Sequence, residues 1–428
     1  MAFLINKYLG NTAWIAGEKV IRMVVTLAIG VYLARYLGPG KFGLLIFSNS
    51  FCTFFLIFSN LGLDGIVIRN LVYDQLRINN LLGTSFILKL FGSFTSLIFI
   101  VIALQLSSID RFTSTMVLII ATGMVFQSFN VIDFFFQSRV LGKYTSIAYF
   151  NSIIISSLVK LYFIVIEAPL LWFAWVILLE NILLAVFLIL NYYRYGLSIF
   201  QWRFNRNMAV NLLRDSWPLI LSGLGTIVFM RIDIVLIKLM LTDNAVGEYS
   251  AAARLSEAIY IIPISISAAL FPAIIKAKNV SEDYYHLKLQ KLYILFVWMA
   301  IAIALPITFL ADSIIALLYG IKYIAAASVL RIHIWAGIFV FLGVASANYL
   351  LVENLTKISS LRTLLGALAN IVLNIILIPP YGIIGSAWAT LISYGIANFS
   401  LFFNGKARRC FFMMVFSFLP IKKYRELL

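Results

Sequence analysis

The residues best placed to do chemistry in this sequence are ionisable side chains that stand inside long apolar segments. A charge within a membrane-spanning segment is costly, so it usually faces a partner or a hydrated path. Four of these residues are cationic and suit an anionic ligand: Lys19, Arg22, Arg231 and Arg254. Four are acidic and suit a polar cleft or coupling to an ion: Glu18, Asp133, Asp233 and Glu257.

The first apolar segment carries Glu18 and Arg22, which lie four residues apart and share one helical face, with Lys19 offset from them. One interpretation is an intrahelical ion pair, with Lys19 extending to the membrane surface. The other is that Arg22, with Lys19, attracts an anionic ligand, because a guanidinium can donate two parallel hydrogen bonds. The spacing is compatible with both interpretations.

The seventh apolar segment carries Arg231 and Asp233, which lie two residues apart and point to roughly opposite sides of a helix. The eighth carries Arg254 and Glu257, three residues apart on one face. The four side chains form either a network that locks the two helices, or a lining in which an arginine binds an anion and an acid acts as a coupling carboxylate. We expect at least one of them to border a central water-accessible cavity between the two lobes of the protein, because an unpaired charge at membrane depth is costly.

A weaker candidate is Asp133, which follows Gln127 and Asn130 at intervals of three. This polar stripe predicts a lining of the same cleft or a bridge to a neighbouring helix. Interhelical hydrogen bonds are the commoner role of single amide side chains in membrane bundles.

Composition restricts the class of protein that positions these residues. The 428-residue chain is 63% hydrophobic and 12% charged, with a mean hydropathy of +1.00, whereas a soluble domain carries about 25% charged residues. This excludes a soluble globular enzyme. The net charge of +16 indicates basic cytoplasmic loops and no nucleic-acid partner.

The sequence predicts no metal site and no cofactor. Cys52 and Cys410, and likewise His286 and His333, lie too far apart for a zinc site of usual spacing. A phosphate-binding loop of the form G-x-x-x-x-G-K-[ST] is absent, so the chain has no such site for ATP.

Twelve runs are long enough to cross a bilayer, which requires about 20 apolar residues. Their limits are 13–37, 42–63, 81–106, 114–136, 146–166, 170–193, 215–241, 246–272, 288–311, 326–352, 357–378 and 383–404. We therefore predict an all-α polytopic membrane protein of about 12 transmembrane helices, arranged as two six-helix pseudo-symmetric lobes around a central cleft.

The domain limits follow from these runs and from the distribution of basic residues. We predict an N-lobe at 1–193, a cytoplasmic linker at 194–214, a C-lobe at 215–404 and a basic cytoplasmic or interfacial tail at 405–428. Lys and Arg concentrate in loops on one side, which places both termini in the cytoplasm.

An internal repeat supports two lobes. Each half contains a long helix, a tight turn and then a glycine that begins the next helix, at Gly43 and Gly247, 204 positions apart. Six spans plus six, with both halves starting on the same side, predict parallel repeats of the kind found in transporters.

Several stretches of the chain resemble bacterial polysaccharide exporters. They are NTAWIAGEKVIRMVVTLAIGVYLARYLGPGKFG, LGLDGIVIRN, SWPLILSGLGTIVFMRIDIVLI, VGEYSAAARLSE and IPISISAALFPAI. The chain is similar to the O-antigen and exopolysaccharide repeat-unit flippases, within the superfamily that includes lipid II flippases and multidrug and toxic compound extrusion transporters. The likeness extends over essentially the whole chain.

The resemblance implies a membrane transporter and no catalyst. It implies that undecaprenyl-pyrophosphate-linked oligosaccharide crosses the bacterial cytoplasmic (inner) membrane by alternating access between the lobes. The implied partners are this lipid-linked oligosaccharide, membrane lipids, H+ or Na+ as a coupling ion, and a polysaccharide polymerase with its chain-length regulator.

Two other functions compete with this one. The first is an ion-coupled multidrug exporter of the same superfamily, which the basic candidates Arg22, Arg231 and Arg254 disfavour, because a site for organic cations should be net acidic. The second is an intramembrane enzyme such as an O-antigen polymerase or ligase. Such enzymes generally need a large outer loop, and the predicted outer gaps are short.

Overall fold

The computed structural model describes the backbone of residues 2–107 and 109–419, and the side chains in those ranges other than those of residues 2–13, 75, 221 and 222. Helices occupy nearly all of this part of the chain, and no β-strand occurs in it. Helices satisfy their backbone hydrogen bonds internally, as a lipid environment requires. The predicted all-α polytopic class is confirmed.

Fifteen α-helices follow one another in the described chain. They are α1 Ala2–Asn60, α2 Asp64–Tyr73, α3 Ile78–Leu106, α4 Arg111–Phe126, α5 Val131–Ser138, α6 Gly142–Val165, α7 Leu170–Arg194, α8 Arg206–Met240, α9 Asp243–Ala258, α10 Ile261–Val280, α11 Glu282–Leu318, α12 Ala325–His333, α13 Ala336–Val352, α14 Thr356–Phe399 and α15 Arg408–Phe416. Short 3-10 turns, among them Gln75–Arg77 and Ile199–Gln201, join several of them.

Nine helical segments among the described residues are long and apolar enough to cross a membrane, or ten if the bent pair Arg206–Ile220 and Gly223–Met240 is one span. Two long helices contain breaks, at Gly38 (φ 71°) in α1 and Gly382 (φ 58°) in α14. Glycine adopts positive φ at little cost, and the neighbouring prolines lack the amide hydrogen that would continue the helix. Both breaks fall where the sequence separates two predicted spans, and the total of twelve stays a prediction.

The chain divides into two compact units, Met1–Leu37 with Leu44–Leu224, and Gly38–Gly43 with Gly225–Leu428. The predicted linker, 194–214, lies within the first unit. The predicted lobe limits themselves stay a prediction, and residues 420–428 of the predicted tail lie outside the described residues.

The turn Gly38–Gly43 packs in the second unit through two glycines. A Cβ at Gly43 would collide with the carbonyl oxygen of Asp243 and the amide of Gly247, and one at Gly247 would collide with the carbonyl of Pro39. The two repeat-related glycines are therefore in direct contact, and this approach is open only to residues without a side chain.

Each unit has its own apolar core. In the first unit it is formed by α2, α3, α5 and α7, with fully buried Leu82, Phe136 and Tyr192. In the second it is formed by α11, α13 and α15, around Phe296 and Phe341.

Candidate functional site

Asp233 on α8 is buried, 5% exposed, and its carboxylate accepts hydrogen bonds from three neutral side chains. The hydroxyls of Tyr249 and Thr390 each donate to Oδ2 at 2.7 Å, and Asn374 Nδ2 donates to Oδ1 at 2.8 Å. Arg231, two residues away, forms its ion pair with Glu257 instead. Among the described side chains, Asp233 is thus held by neutral donors and by no cation.

A second layer of buried polar groups orients these donors. The amide of Asn374 also donates to Asn370 Oδ1 at 2.9 Å, and Ser386 Oγ donates to Asn374 Oδ1 at 2.7 Å. Both asparagines and Ser386 are fully buried. The carboxylate, phenol, amides and hydroxyls of this cluster, the Asp233 site, belong to Asp233, Tyr249, Asn370, Asn374, Ser386 and Thr390.

The break in α14 explains how one helix supplies four of the six residues. Asn370 and Asn374 precede Gly382, and Ser386 and Thr390 follow it. Each pair is spaced by four residues, so each occupies one helical face. Reversal of the chain at Gly382 brings the two faces together beside Asp233.

The chemistry of the Asp233 site matches a small hard cation or a proton. Hard cations take carboxylate, amide and hydroxyl oxygens as ligands, and hydroxyl groups rotate to donate or to accept. A cavity of about 10 Å³, room for about one water molecule, lies between Asp233, Tyr249, Glu257 and His333. No group of three or more His, Cys, Asp or Glu in the described part of the chain is placed to hold a metal ion.

The other charged candidates of the second unit make an ion pair and a contact with an aromatic ring. Arg231 Nη1 lies 3.7 Å from Glu257 Oε2. The Arg254 guanidinium lies 5.3 Å from the centre of the Phe42 ring, in a cation–π contact with the turn Gly38–Gly43. The expectation that one of the four charges borders a cavity between the predicted lobes stays a prediction.

In the first unit, Glu18 and Arg22 form the intrahelical ion pair that was one of the two interpretations, with 3.0 Å between Oε1 and Nε. Arg22 also lies over the ring of Tyr149 at 4.7 Å, whereas Lys19 is exposed. The pair uses one edge of the guanidinium, so the anion-binding interpretation stays open as well.

Asp133 on α5 is buried, 7% exposed, and its Oδ1 has no hydrogen-bond partner among the described atoms. The predicted polar stripe of Gln127, Asn130 and Asp133 does not act as one unit, because the Gln127 amide donates to Asn181 on α7 at 3.0 Å. That bond is the interhelical bridge considered as one of the alternatives.

Lys89 is a buried charge that sequence reasoning missed. It is 1% exposed, donates to Asn60 Oδ1 at 3.0 Å and lies 3.5 Å from Asp64 Oδ1. Its only signal in the sequence is that it is the single charge in a long apolar run. Tyr249, Ser386 and Thr390 were missed too, because they carry no charge, although the Ser386 and Thr390 spacing of four was visible.

The sequence is similar to a known protein family and to several curated proteins. A family model described as polysaccharide biosynthesis protein matches residues 8–278. The probable low-salt glycan biosynthesis flippase Agl15 of Haloferax volcanii is 23% identical over 192 residues, which are 44% of this chain and 40% of that protein. The chain spans 40% to 65% of the length of the curated relatives that it matches.

Two solved structures share the fold. An inward-facing multidrug resistance MATE family transporter of the MOP superfamily aligns with a TM-score of 0.74 at 14% identity, over 95% of this chain and 96% of that chain. The lipid II flippase MurJ, in an inward closed conformation, aligns with a TM-score of 0.69 at 15% identity, over 95% and 90%. At such identities the likeness shows the fold alone.

Proposed function

Because the chain belongs to the polysaccharide biosynthesis protein family, we propose that it is a flippase that carries an oligosaccharide linked to undecaprenyl pyrophosphate across the cytoplasmic membrane. It acts as a transporter and catalyses no covalent step. The family match over residues 8–278 is the observation that carries this proposal, and a relative named as a glycan biosynthesis flippase supports it.

The cationic candidates are proposed to bind the pyrophosphate. Arg22 and Arg254 stand in segments long and apolar enough to cross a membrane, and each lies over an aromatic ring, at 4.7 and 5.3 Å. A ring face holds the guanidinium plane while its edges keep hydrogen-bond donors for phosphate oxygens. Lys19 and Arg231 are proposed to add positive charge nearby in their own units.

The Asp233 site is proposed to couple transport to a cation, either Na+ or H+. A buried carboxylate without a cationic partner favours the binding of a cation, because the charge of the bound cation offsets the cost of burying the carboxylate. Binding shifts a transporter between conformations only when the cation binds one conformation more tightly. Since the site joins α8, α9 and both halves of α14, a change in their packing changes the ligand geometry. Glu18, Asp133 and Glu257 remain secondary candidates for coupling.

The proposed orientation places both termini and the segment 194–214 on the cytoplasmic side, following the excess of Lys and Arg there. The head group therefore starts on the face that carries these basic loops. A polysaccharide polymerase and its chain-length regulator are the proposed partners on the opposite face.

Flipping by the purified protein tests this function. Proteoliposomes are loaded with lipid-linked oligosaccharide extracted from a strain that lacks the protein, and exposure of the glycan on the outer leaflet is followed by lectin binding. We expect exposure to accelerate when the protein is present and an ion gradient is applied. Exposure at the rate of protein-free liposomes under both Na+ and pH gradients would refute the proposal.

The second candidate is an ion-coupled multidrug exporter, favoured by the fold shared with a MATE family transporter. It predicts that expression raises the resistance of a drug-sensitive strain to organic cations. The flippase proposal predicts unchanged resistance, together with loss of surface polysaccharide when the gene is deleted.

A further inference from the structure

A polar groove of about 580 Å³ lies in the first unit, between the end of α2 and the beginning of α8. From one side it is lined by Asn70, Asp74 and Arg77, on α2 and the turn that follows. From the other it is lined by Asn207, Asn211 and Asp215, spaced by four residues on one face of α8. An ion pair at 2.9 Å between Arg69 and Asp215 joins the two helices at one end.

Side-chain amides dominate this groove. Five asparagines line it: Asn70, Asn80, Asn205, Asn207 and Asn211. Each amide offers two donors and an acceptor, and among the described residues the side chains of Asn80, Asn207 and Asn211 make no hydrogen bond. Tyr73, 82% exposed, adds an aromatic face. Neutral amides beside an aromatic ring suit a ligand that is rich in hydroxyl groups and has apolar ring faces, which is a sugar.

A second cavity of about 460 Å³ continues the groove and shares Arg77 and Asn80 with it. Arg203 joins Arg77 in the lining of this cavity, and Arg77 Nε lies 3.7 Å from Asp74 Oδ2. Next to them stand Leu76 and Phe200, which are 99% and 88% exposed. Arginine pairs suit phosphate oxygens, and such exposed apolar side chains are stable where they meet lipid.

The backbone that carries these residues is fixed to α3. The amide of Arg203 donates to the carbonyl of Asn79 at 3.1 Å, and the amide of Asn205 donates to Thr84 Oγ1 at 3.0 Å. A Cβ at Gly83 would stand 2.6 Å from the amide nitrogen of Arg203, so the glycine permits this close approach. These backbone contacts with α3 therefore fix the shape of the groove.

We propose that the two cavities form one docking groove for the head group of the lipid-linked oligosaccharide. Its pyrophosphate binds Arg77 and Arg203, and its first sugars bind the amides of Asn80, Asn207 and Asn211. The second cavity holds the exposed apolar side chains and both arginines, and the first holds most of the asparagines, which matches a molecule that joins lipid, pyrophosphate and sugar. The inference rests on the proposed function and on the proposed cytoplasmic position of this face.

Photocrosslinking in cells tests the groove. The photoreactive amino acid p-benzoylphenylalanine replaces Tyr73, which lines the groove, or the neighbouring Val72, which lines neither cavity and is 50% exposed. After irradiation, adducts are identified by mass spectrometry. We expect a glycan pyrophosphate adduct at position 73 that is at least tenfold more abundant than at position 72. It should be absent from a strain that cannot make the first sugar linkage.

Substitution of the exposed asparagines provides a second test of the groove. The Asn207→Leu/Asn211→Leu variant keeps side-chain size and removes hydrogen bonding, at positions exposed enough not to affect folding. We expect its adduct at position 73 to fall at least tenfold, and its flipping in proteoliposomes to need a higher substrate concentration, with the maximal rate kept. Arg22→Gln should instead reduce flipping with the adduct kept.

The outcomes separate failure of the groove from failure of the function. Flipping in proteoliposomes without a glycan adduct at position 73, or with equal adducts at positions 72 and 73, overturns the groove alone. An adduct that contains only phospholipid also overturns it, because the groove would then bind membrane head groups. Absence of flipping in proteoliposomes refutes the proposed function itself.

Discussion

Asn374 donates a hydrogen bond to Asp233 over 2.8 Å, although the two residues stand 141 positions apart in the sequence. The bond connects α8 to the first half of α14 through a carboxylate and an amide. A cationic partner would offset the charge of the acid, whereas a neutral amide does not. For this reason we propose Asp233, and not the paired Glu257, as the coupling group.

The first prediction concerns the charge of Asp233. We expect Asp233→Asn to reach the membrane in normal amount, because asparagine has the same shape and the hydroxyls of Tyr249 and Thr390 can accept as well as donate. Flipping in proteoliposomes should fall at least tenfold and should no longer respond to an ion gradient.

Asp312→Asn is the matched control, since Asp312 is exposed and pairs with Arg331, and neither residue belongs to the Asp233 site. It should flip at the wild-type rate. If Asp233→Asn keeps its response to both Na+ and pH gradients, Asp233 has no part in coupling.

The second prediction separates binding from folding at the cationic candidates. We expect Arg22→Gln and Arg254→Gln to reduce export of surface polysaccharide at least tenfold, with the protein still present in the membrane, because a binding arginine contributes affinity for the head group. Immunoblots of membranes and glycan staining of the same cells provide the measurement.

Arg111→Gln is the control here, because Arg111 is exposed at the beginning of α4. Its export should be unchanged. Loss of the folded protein in both Arg22→Gln and Arg254→Gln would assign these arginines to structure, through the Glu18 ion pair and the Phe42 ring.

The third prediction concerns the contact between the two repeat-related glycines. We expect Gly43→Ala and Gly247→Ala each to destabilise the protein by about 1–3 kcal/mol or more, because the added Cβ collides with backbone that cannot move away. Thermal unfolding in detergent, followed by fluorescence-detected size exclusion, measures the effect.

Gly17→Ala is the matched control, because a Cβ there meets nothing within 4 Å and the residue lies inside α1. It should raise stability by up to about 1 kcal/mol, the usual preference for alanine over glycine in a helix. Equal unfolding temperatures for Gly43→Ala and the wild type would mean that the two turns do not pack as described.

The fourth prediction concerns cysteine labelling. The wild-type protein should not react with a maleimide at pH 7.5 while folded, because Cys52 is 3% and Cys410 0% exposed. Burial also raises the pKa of the Cys410 thiol to about 11, so this thiol stays protonated, and the thiolate is the reactive form. Mass spectrometry before and after denaturation detects the difference.

Because the two native cysteines are expected not to react in the folded protein, single added cysteines can test the orientation of the chain in the membrane. We expect an impermeant maleimide to label Arg111→Cys in intact cells, and Asn205→Cys only after the cells are broken. Labelling of Asn205→Cys in intact cells would contradict the proposed topology, because it would place the docking groove on the outer face of the membrane.

Much of the fold was predictable because it depends on local properties. Long apolar runs form helices in lipid whatever their neighbours. Gly38 and Gly382 break helices because of their own backbone freedom and the prolines within three residues of them. The Glu18–Arg22 pair was predictable for the same reason, since a spacing of four residues determines contact within one helix.

The sequence by itself determined that the chain is an all-helical membrane protein, which family it resembles and which charges stand inside its apolar segments. Only the tertiary structure decided the partners of those charges. Asp233 lies beside Tyr249, Asn374 and Thr390 because α8, α9 and the two halves of α14 pack together. A contact across 141 residues depends on the packing of whole helices, and neither the spacing nor the charge of Asp233 contains that information.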